Sequence, residues 1–251
     1  MRMGILFGPI LDGSNRHALA DQVRAYVGAG FDSIWTPQAM GRGFMIADPL
    51  MALTVAATVS DTVELGTGIL QLPLYHPMEV AHRIMTLHQL CGDRLILGVG
   101  AGSTQADYEA CGRDYDGRFK AFNECLATLR EIFDTGGTDG ANHHPWPEIK
   151  GGPKLAYGTW GKGVARAAKE FDVWIASGMH RTPDEVCAVA PEYRAAGGQR
   201  AIVTTIAVSG DTDIGKLKAD LDQYAAAGFD DAVILPLPGL PPLDALRKLV
   251  D

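Results

Sequence analysis

Two glycine-rich runs stand where this chain could hold an anionic or planar ligand. The first is Gly98-Val99-Gly100-Ala101-Gly102-Ser103-Thr104. Its glycines let a ligand approach the backbone, and the hydroxyls of Ser103 and Thr104 add donors. The spacing is GxGxG, whereas a dinucleotide fingerprint needs GxGxxG opening a helix and an acid about 20 residues on. A tight loop is the other use of these glycines. The second run, Tyr157-Gly158-Thr159-Trp160-Gly161-Lys162-Gly163, leads straight into a helical pattern. It is no Walker loop, because glycine replaces the hydroxyl residue after Lys162. Free N–H groups at a helix start, the positive dipole end and the lysine ammonium still suit a phosphate. Ser177-Gly178, ending the next strand, closes the same cradle. Plain helix capping by the same residues is the competing reading.

Proton and metal chemistry have fewer candidates. His76, His82 and His88 are six apart and drift around a helix, and His143-His144 lie in a loop. With no Cys, Asp or Glu partners at ligand spacing, no metal site is expected. His76 follows the third strand and could face the ligand as a proton donor, or simply be solvated. There is no GxSxG elbow and no Cys–His pairing.

The elements that must carry these residues alternate. Strands are predicted at Met3–Phe7, Ser33–Thr36, Val63–Leu70, Arg94–Val99, Lys154–Tyr157, Val173–Ser177, Ala201–Val208 and Ala232–Leu237, several of them near-continuous apolar runs typical of parallel sheets. Between them, sets such as Val80, Ile84, Leu87 and Cys91, or Phe122, Leu126, Leu129 and Phe133, carry helical spacing. Asp48-Pro49 reads as an N-cap followed by proline, and Thr182-Pro183-Asp184-Glu185 as a capping box. Gly30-Phe31-Asp32 and Gly228-Phe229-Asp230 close helices and enter strands in the same way. Eight β-then-α units in about 250 residues predict an α/β fold, a single (β/α)8 TIM barrel over 1–251, with its site on the βα loops. The next good helix after the first glycine run is expected near Arg118. The Gly/Pro/His-rich stretch at about 135–153 is expected to be a long loop over the barrel mouth.

Composition narrows the function classes. The 251 residues carry 22 Lys+Arg and 30 Asp+Glu, a formal net charge of −8, which argues against holding nucleic acid through many phosphates or docking on an anionic membrane. At 47% hydrophobic and 21% charged, the chain supports a substantial core. The first residues lack a signal-peptide core, no stretch approaches a membrane span, and the four scattered cysteines form no CxxC, so a cytoplasmic location with reduced thiols is expected.

Several ordered motifs together resemble the luciferase-like monooxygenase superfamily. They are Gly30-Phe31-Asp32-Ser33-Ile34-Trp35, Asp48-Pro49-Leu50, Leu65-Gly66-Thr67-Gly68-Ile69, His76-Pro77 and Asp93-Arg94-Leu95-Ile96-Leu97-Gly98-Val99-Gly100-Ala101-Gly102. Gly112, Arg118, Glu124, Gly161, Ala167-Ala168 and Asp172-Val173-Trp174-Ile175 extend the match, which covers roughly residues 1–180. The resemblance implies a barrel mouth that holds a flavin or the deazaflavin coenzyme F420. By it, Gly158, Thr159, Gly161, Lys162, Gly163, Ser177 and Gly178 hold the phosphate; Gly100 is a further cofactor-binding candidate, and Gln38 can hydrogen-bond a ring edge as donor and acceptor. It also implies a non-proline cis peptide at Gly68–Ile69, backing the ring, a bond that costs about 3–4 kcal/mol.

Three departures matter. Ala101 stands where members using flavin mononucleotide (FMN) often carry arginine, which favours coenzyme F420. Gln38-Ala39 replaces the Asp-His of many F420 relatives. Ser103 replaces the glutamate of alcohol-oxidising members, so reduction of a polarised C=C or C=N is the favoured reaction. The expected enzyme is an F420-dependent oxidoreductase acting on a small molecule, with His76 or Ser103 as proton donor. The alternatives are an FMN-dependent monooxygenase served by a partner reductase, or a non-catalytic flavin-binding barrel. Dimerisation through early helices, common in the family, would give a homodimer.

Overall fold

The computed structural model describes residues 1–7, 15, 17–138 and 141–250. Its strands are β1 (Arg2–Leu6), β2 (Ser33–Thr36), β3 (Glu64–Thr67), β4 (Leu70–Gln71), β5 (Leu95–Gly100), the small β6 (Gly137–Thr138) and β7 (Ala141–Asn142), then β8 (Lys154–Gly158), β9 (Val173–Ser177), β10 (Arg200–Val208) and β11 (Asp231–Pro236). Its helices are α1 (Ala18–Gly28), α2 (Pro49–Val59), α3 (Pro77–Cys91), α4 (Gln105–Ala110), α5 (Arg118–Thr135), α6 (Val164–Glu170), α7 (Pro183–Cys187), α8 (Ala190–Ala195), α9 (Ile214–Ala226) and α10 (Leu243–Arg247). The parallel order β3-β2-β1-β11-β10-β9-β8-β5-β4 closes through an additional β3–β5 pairing. The chain is thus a (β/α)8 barrel in which β3 and β4 share one of the eight positions.

That shared position contains a bulge. Gly66 pairs with Ile96 and Leu70 with Val99, so the interrupted strand spends one more residue than β5 over the same span. The bulge falls at Gly68–Ile69, but with trans geometry: no cis peptide bond occurs among the described residues. The cis bond that the resemblance implied is therefore corrected. One inserted residue re-aims the chain here, while the Gly68 N–H still reaches the Thr36 carbonyl at 2.6 Å. A second bulge lies at Thr204–Thr205, between the Val203–Ala232 and Ile206–Ile234 pairs. Thr205 sits there at φ 59°, a left-handed conformation that costs a β-branched residue about 1–3 kcal/mol.

Alternate residues of each strand point inward and fill the barrel in layers. The lowest layer is ionic. Arg2, Glu64, Arg200 and Asp231 are the first residues of β1, β3, β10 and β11. Arg200 binds Glu64 Oε1 and Oε2 at 3.0 and 2.8 Å, and both oxygens of the buried Asp231 at 2.8 Å. Above it, Leu6, Trp35, Ile96, Ala156, Val173, Ile175, Ile202 and Val233 form an apolar plug. Trp35 fits because Gly66 faces its six-membered ring and Gly4 its indole nitrogen; a Cβ at either glycine would overlap its neighbours. The larger core lies outside, between the sheet and the helices.

The αβ joints repeat one device. Asp32, Asp172 and Asp230 each donate a backbone N–H to the carbonyl of Met3, Leu155 or Ala201. Each then accepts the N–H of that same residue on its carboxylate, at 2.7–2.8 Å. Gly30 and Gly228 precede two of these joints at φ 85° and 95°, where a side chain would be strained. The expected helix ends also form. Asp48 accepts from the N–H groups of Leu50 and Met51, and Thr182 with Glu185 makes a capping box.

The segment at about 135–153 does not cross the mouth. It joins the end of α5 to the start of β8, so it is an αβ connection, rooted at the opposite end from the βα loops. Its described part folds a short β6–β7 hairpin and a turn at Pro147–Ile149, and lies against α3, where His143 Nε2 is 3.1 Å from the Met78 carbonyl. Residues 139 and 140 of it lie outside the described residues.

Candidate functional site

The carboxyl ends of the strands bring most of the expected residues together. Gly68, Gly98, Gly100 and Gly158 are inward positions of three adjacent strand positions, and together they form a glycine-lined shelf on which neighbours pack closely. Ile69 lies across it: a Cβ on Gly158 would overlap Ile69 Cδ1, and one on Gly100 would sit 3.0 Å from Ile69 Cγ2. The shelf is backed by close packing, since a Cβ on Gly98 would run into the Thr67 carbonyl.

The residues expected to cradle a phosphate lie together on the late loops. Gly158, Thr159 and Trp160 leave β8, and Gly161–Gly163 make a helical turn that runs into α6. A Cβ on Gly163 would overlap Thr159 Oγ1, so glycine is required for the turn to close on that hydroxyl. Gly161, at φ 57°, and Lys162 are exposed. Ser177 and Gly178 stand beside this loop. The Gly178 N–H binds the Thr204 carbonyl at 2.8 Å, and Ser177 Oγ meets Thr205 Oγ1 at 2.8 Å. Thr204 Oγ1 is buried and finds no partner among the described residues. The guanidinium of Arg181 lies 4.0 Å over the Trp160 ring, adding a second positive charge to the cradle. The sequence carried a faint sign of it: a cation between a strand end and the Thr182 cap.

The early side of the mouth holds a polar network that composition and motif did not disclose. Gln38, two residues past β2, is buried; its Oε1 accepts from the Gln71 N–H at 2.7 Å, and its Nε2 donates to Tyr75 Oη at 2.5 Å. Gln71 Nε2 donates to the fully buried Asp107 at 2.7 Å. Asp107 also accepts from the Met40 N–H at 3.0 Å and from Arg42 Nε at 2.8 Å. Burial raises the Asp107 pKa, but the bonds from Arg42, Gln71 and Met40 outweigh it and hold the carboxyl below its ordinary range. Burial pushes the Tyr75 hydroxyl up to about 12. One N–H of the Gln38 amide makes no hydrogen bond among the described residues.

The side chains of the two expected proton donors make no hydrogen bond to this network among the described residues. His76 is exposed at the cap of α3 and makes no capping bond. Ser103 is exposed, and its carbonyl accepts from Tyr115 Oη at 2.9 Å. Between the first glycine run and Arg118 stands α4, which the sequence reading passed over.

A closed parallel barrel whose glycine-rich loops and cations gather at the carboxyl ends of its strands is the architecture of a (β/α)8 enzyme. The luciferase-like monooxygenase family profile matches residues 5–235, and the chain belongs to that enzyme family. It is similar to 4-hydroxyprotoasukamycin monooxygenase of Streptomyces nodosus subsp. asukaensis, 37% identical over 86 residues, 34% of this chain and 23% of that one. It is also similar to 5,10-methylenetetrahydromethanopterin reductase of Methanolobus tindarius, 29% identical over 133 residues, 52% of this chain and 37% of that one. The matches thus span well under half the length of these curated relatives. Among solved structures, the coenzyme F420 dependent tetrahydromethanopterin reductase from Methanopyrus kandleri superposes with a TM-score of 0.75 at 16% identity, covering 99% of this chain and 96% of that one. That likeness concerns the fold. Among the described residues, no helix is long and apolar enough to cross a membrane.

Proposed function

We propose that the chain is a coenzyme F420-dependent oxidoreductase that moves a hydride between the deazaflavin and a small organic substrate, reduction of a polarised C=C or C=N being favoured. The observation that carries this reading is the glycine shelf set beside a two-loop cradle with Lys162 and Arg181. The residues present fit such a group. Ile69 packs on the Gly100 and Gly158 backbone, and the Gly161 and Lys162 N–H groups with the Thr159 hydroxyl are the donors open to a phosphate, while the N–H groups of Thr159, Gly163 and Gly178 already bind the Ile175, Trp160 and Thr204 carbonyls. A deazaflavin, when bound, supplies hydride chemistry. The chain's own part is to orient and to exclude water. Ile69 and Gly100 support the ring, Gln38 offers an N–H to its edge, and Lys162 anchors the tail. Position 101 supports F420 over FMN, for it holds a buried alanine and no cation. His76 and Ser103 remain exposed candidates for proton transfer at the mouth.

Fluorescence titration with both cofactors tests the reading: coenzyme F420 is expected to bind and FMN to bind more weakly. Tight FMN binding with no F420 binding would overturn the choice. A second reading, an FMN-dependent monooxygenase, is favoured by the 37% identity to a monooxygenase. Oxygen uptake coupled to reduced FMN would establish it.

A further inference from the structure

The polar network on the early side of the mouth does more than close loops. We propose that the Tyr75 hydroxyl is the proton donor of this site, held in a donating orientation by Gln38. This rests on the oxidoreductase reading above and names the acid that reading leaves open.

The orientation follows from donors and acceptors alone. Gln38 Oε1 accepts from the Gln71 backbone N–H at 2.7 Å, so its Nε2 faces Tyr75 Oη. Turning the amide over would set its N–H group against the Gln71 N–H, donor against donor. The phenol oxygen is thus an acceptor toward Gln38, and its own hydrogen is not spent there. Among the described residues, no acceptor takes that hydrogen. Gln71 is fixed in turn, because Asp107 only accepts and therefore holds Gln71 Nε2. Tyr75 is half-buried, reached from the loops that follow β2, β4 and β5. The charged or titratable groups that act on it are Asp48, Arg83 and Cys111. Burial keeps the phenol protonated through neutral pH, and the Gln38 N–H on its oxygen stabilises the phenolate left after transfer.

A reduced deazaflavin, when bound, would supply the hydride for a C–H bond at the electrophilic carbon of a carbonyl-conjugated C=C or of a C=N. The π pair moves to the carbonyl oxygen or the nitrogen. The Tyr75 O–H bond breaks and its proton passes to that atom. The substrate gains two electrons, the coenzyme loses them, and water returns a proton to the phenolate. A simple enone then leaves as its enol and tautomerises.

The test compares wild type with Tyr75→Phe, which keeps the ring and removes the hydroxyl. Coenzyme F420 affinity, read by fluorescence, is expected to agree within about twofold. The carbonyl stretch of a bound isotope-labelled cyclic enone, read by infrared difference spectroscopy, is expected at lower wavenumber in wild type and at the free value in the variant. Turnover is expected to fall about 100-fold, the usual size of a general acid's contribution. An unshifted carbonyl band in wild type, or a band and rate both retained in Tyr75→Phe, would overturn the proposal. If wild type binds no F420, the cofactor reading fails instead, and the carbonyl band, measured on the protein alone, still decides on Tyr75.

Discussion

Lys162 is exposed on its turn, whereas Arg181 is half-buried against Trp160, and the two should fail differently. A hydrogen bond to a charged group contributes about 1.5–3 kcal/mol, so Lys162→Ala should weaken cofactor binding roughly tenfold or more, with the loss shrinking at high salt. Arg181→Ala should do the same and also loosen Trp160, seen as a change in tryptophan fluorescence. Asp107 makes a different prediction. Its folded pKa lies below the unfolded value near 3.9. The stability it contributes is therefore present above that value and lost as pH falls through the folded one. Asp107→Asn should cost about 1–3 kcal/mol at neutral pH. Its urea midpoint should also fall less steeply than wild type's below about pH 4. Glycines and a lysine at a helix start are local signals, and sequence sufficed to find them. Tyr75, Gln71 and Asp107 acquire meaning only where three loops meet, which no spacing along one segment reveals.

Elements were legible where the hydrophobic pattern was strong. Ser33–Thr36 and Val173–Ser177 form the strands expected of them, and Phe122, Leu126, Leu129 and Phe133 are the buried face of α5. The pattern could not show the break after Thr67, because Gly68 and Ile69 read as a continuation of an apolar run. Nor could it place the 135–153 segment, since composition marks a loop without saying which end of the barrel it joins. The echo of Gly30-Phe31-Asp32 in Gly228-Phe229-Asp230 proved to be a repeated joint, also used by Asp172 without the preceding glycine. Asp172→Ala removes the acceptor for the Leu155 N–H, a loss of about 1 kcal/mol. At this chain length that lowers Tm by about 2–4 °C, which calorimetry can check.

At the scale of the whole molecule, the ionic floor and the Trp35 layer make the lower barrel solid. Arg200→Met leaves the buried Asp231 carboxylate, among the described residues, with Arg2 alone as a cation partner, at 3.6 Å, and should cost about 3–5 kcal/mol in a denaturation experiment. Adding Asp231→Leu should recover part of that loss, because the second change removes the stranded charge.

A floor of this kind has a kinetic corollary. On the proposed function, coenzyme and substrate would both enter from the carboxyl end of the barrel, and whatever rests deepest would arrive first and depart last. Exchange of the spent coenzyme then waits on the product, so product retained above it would slow every later cycle.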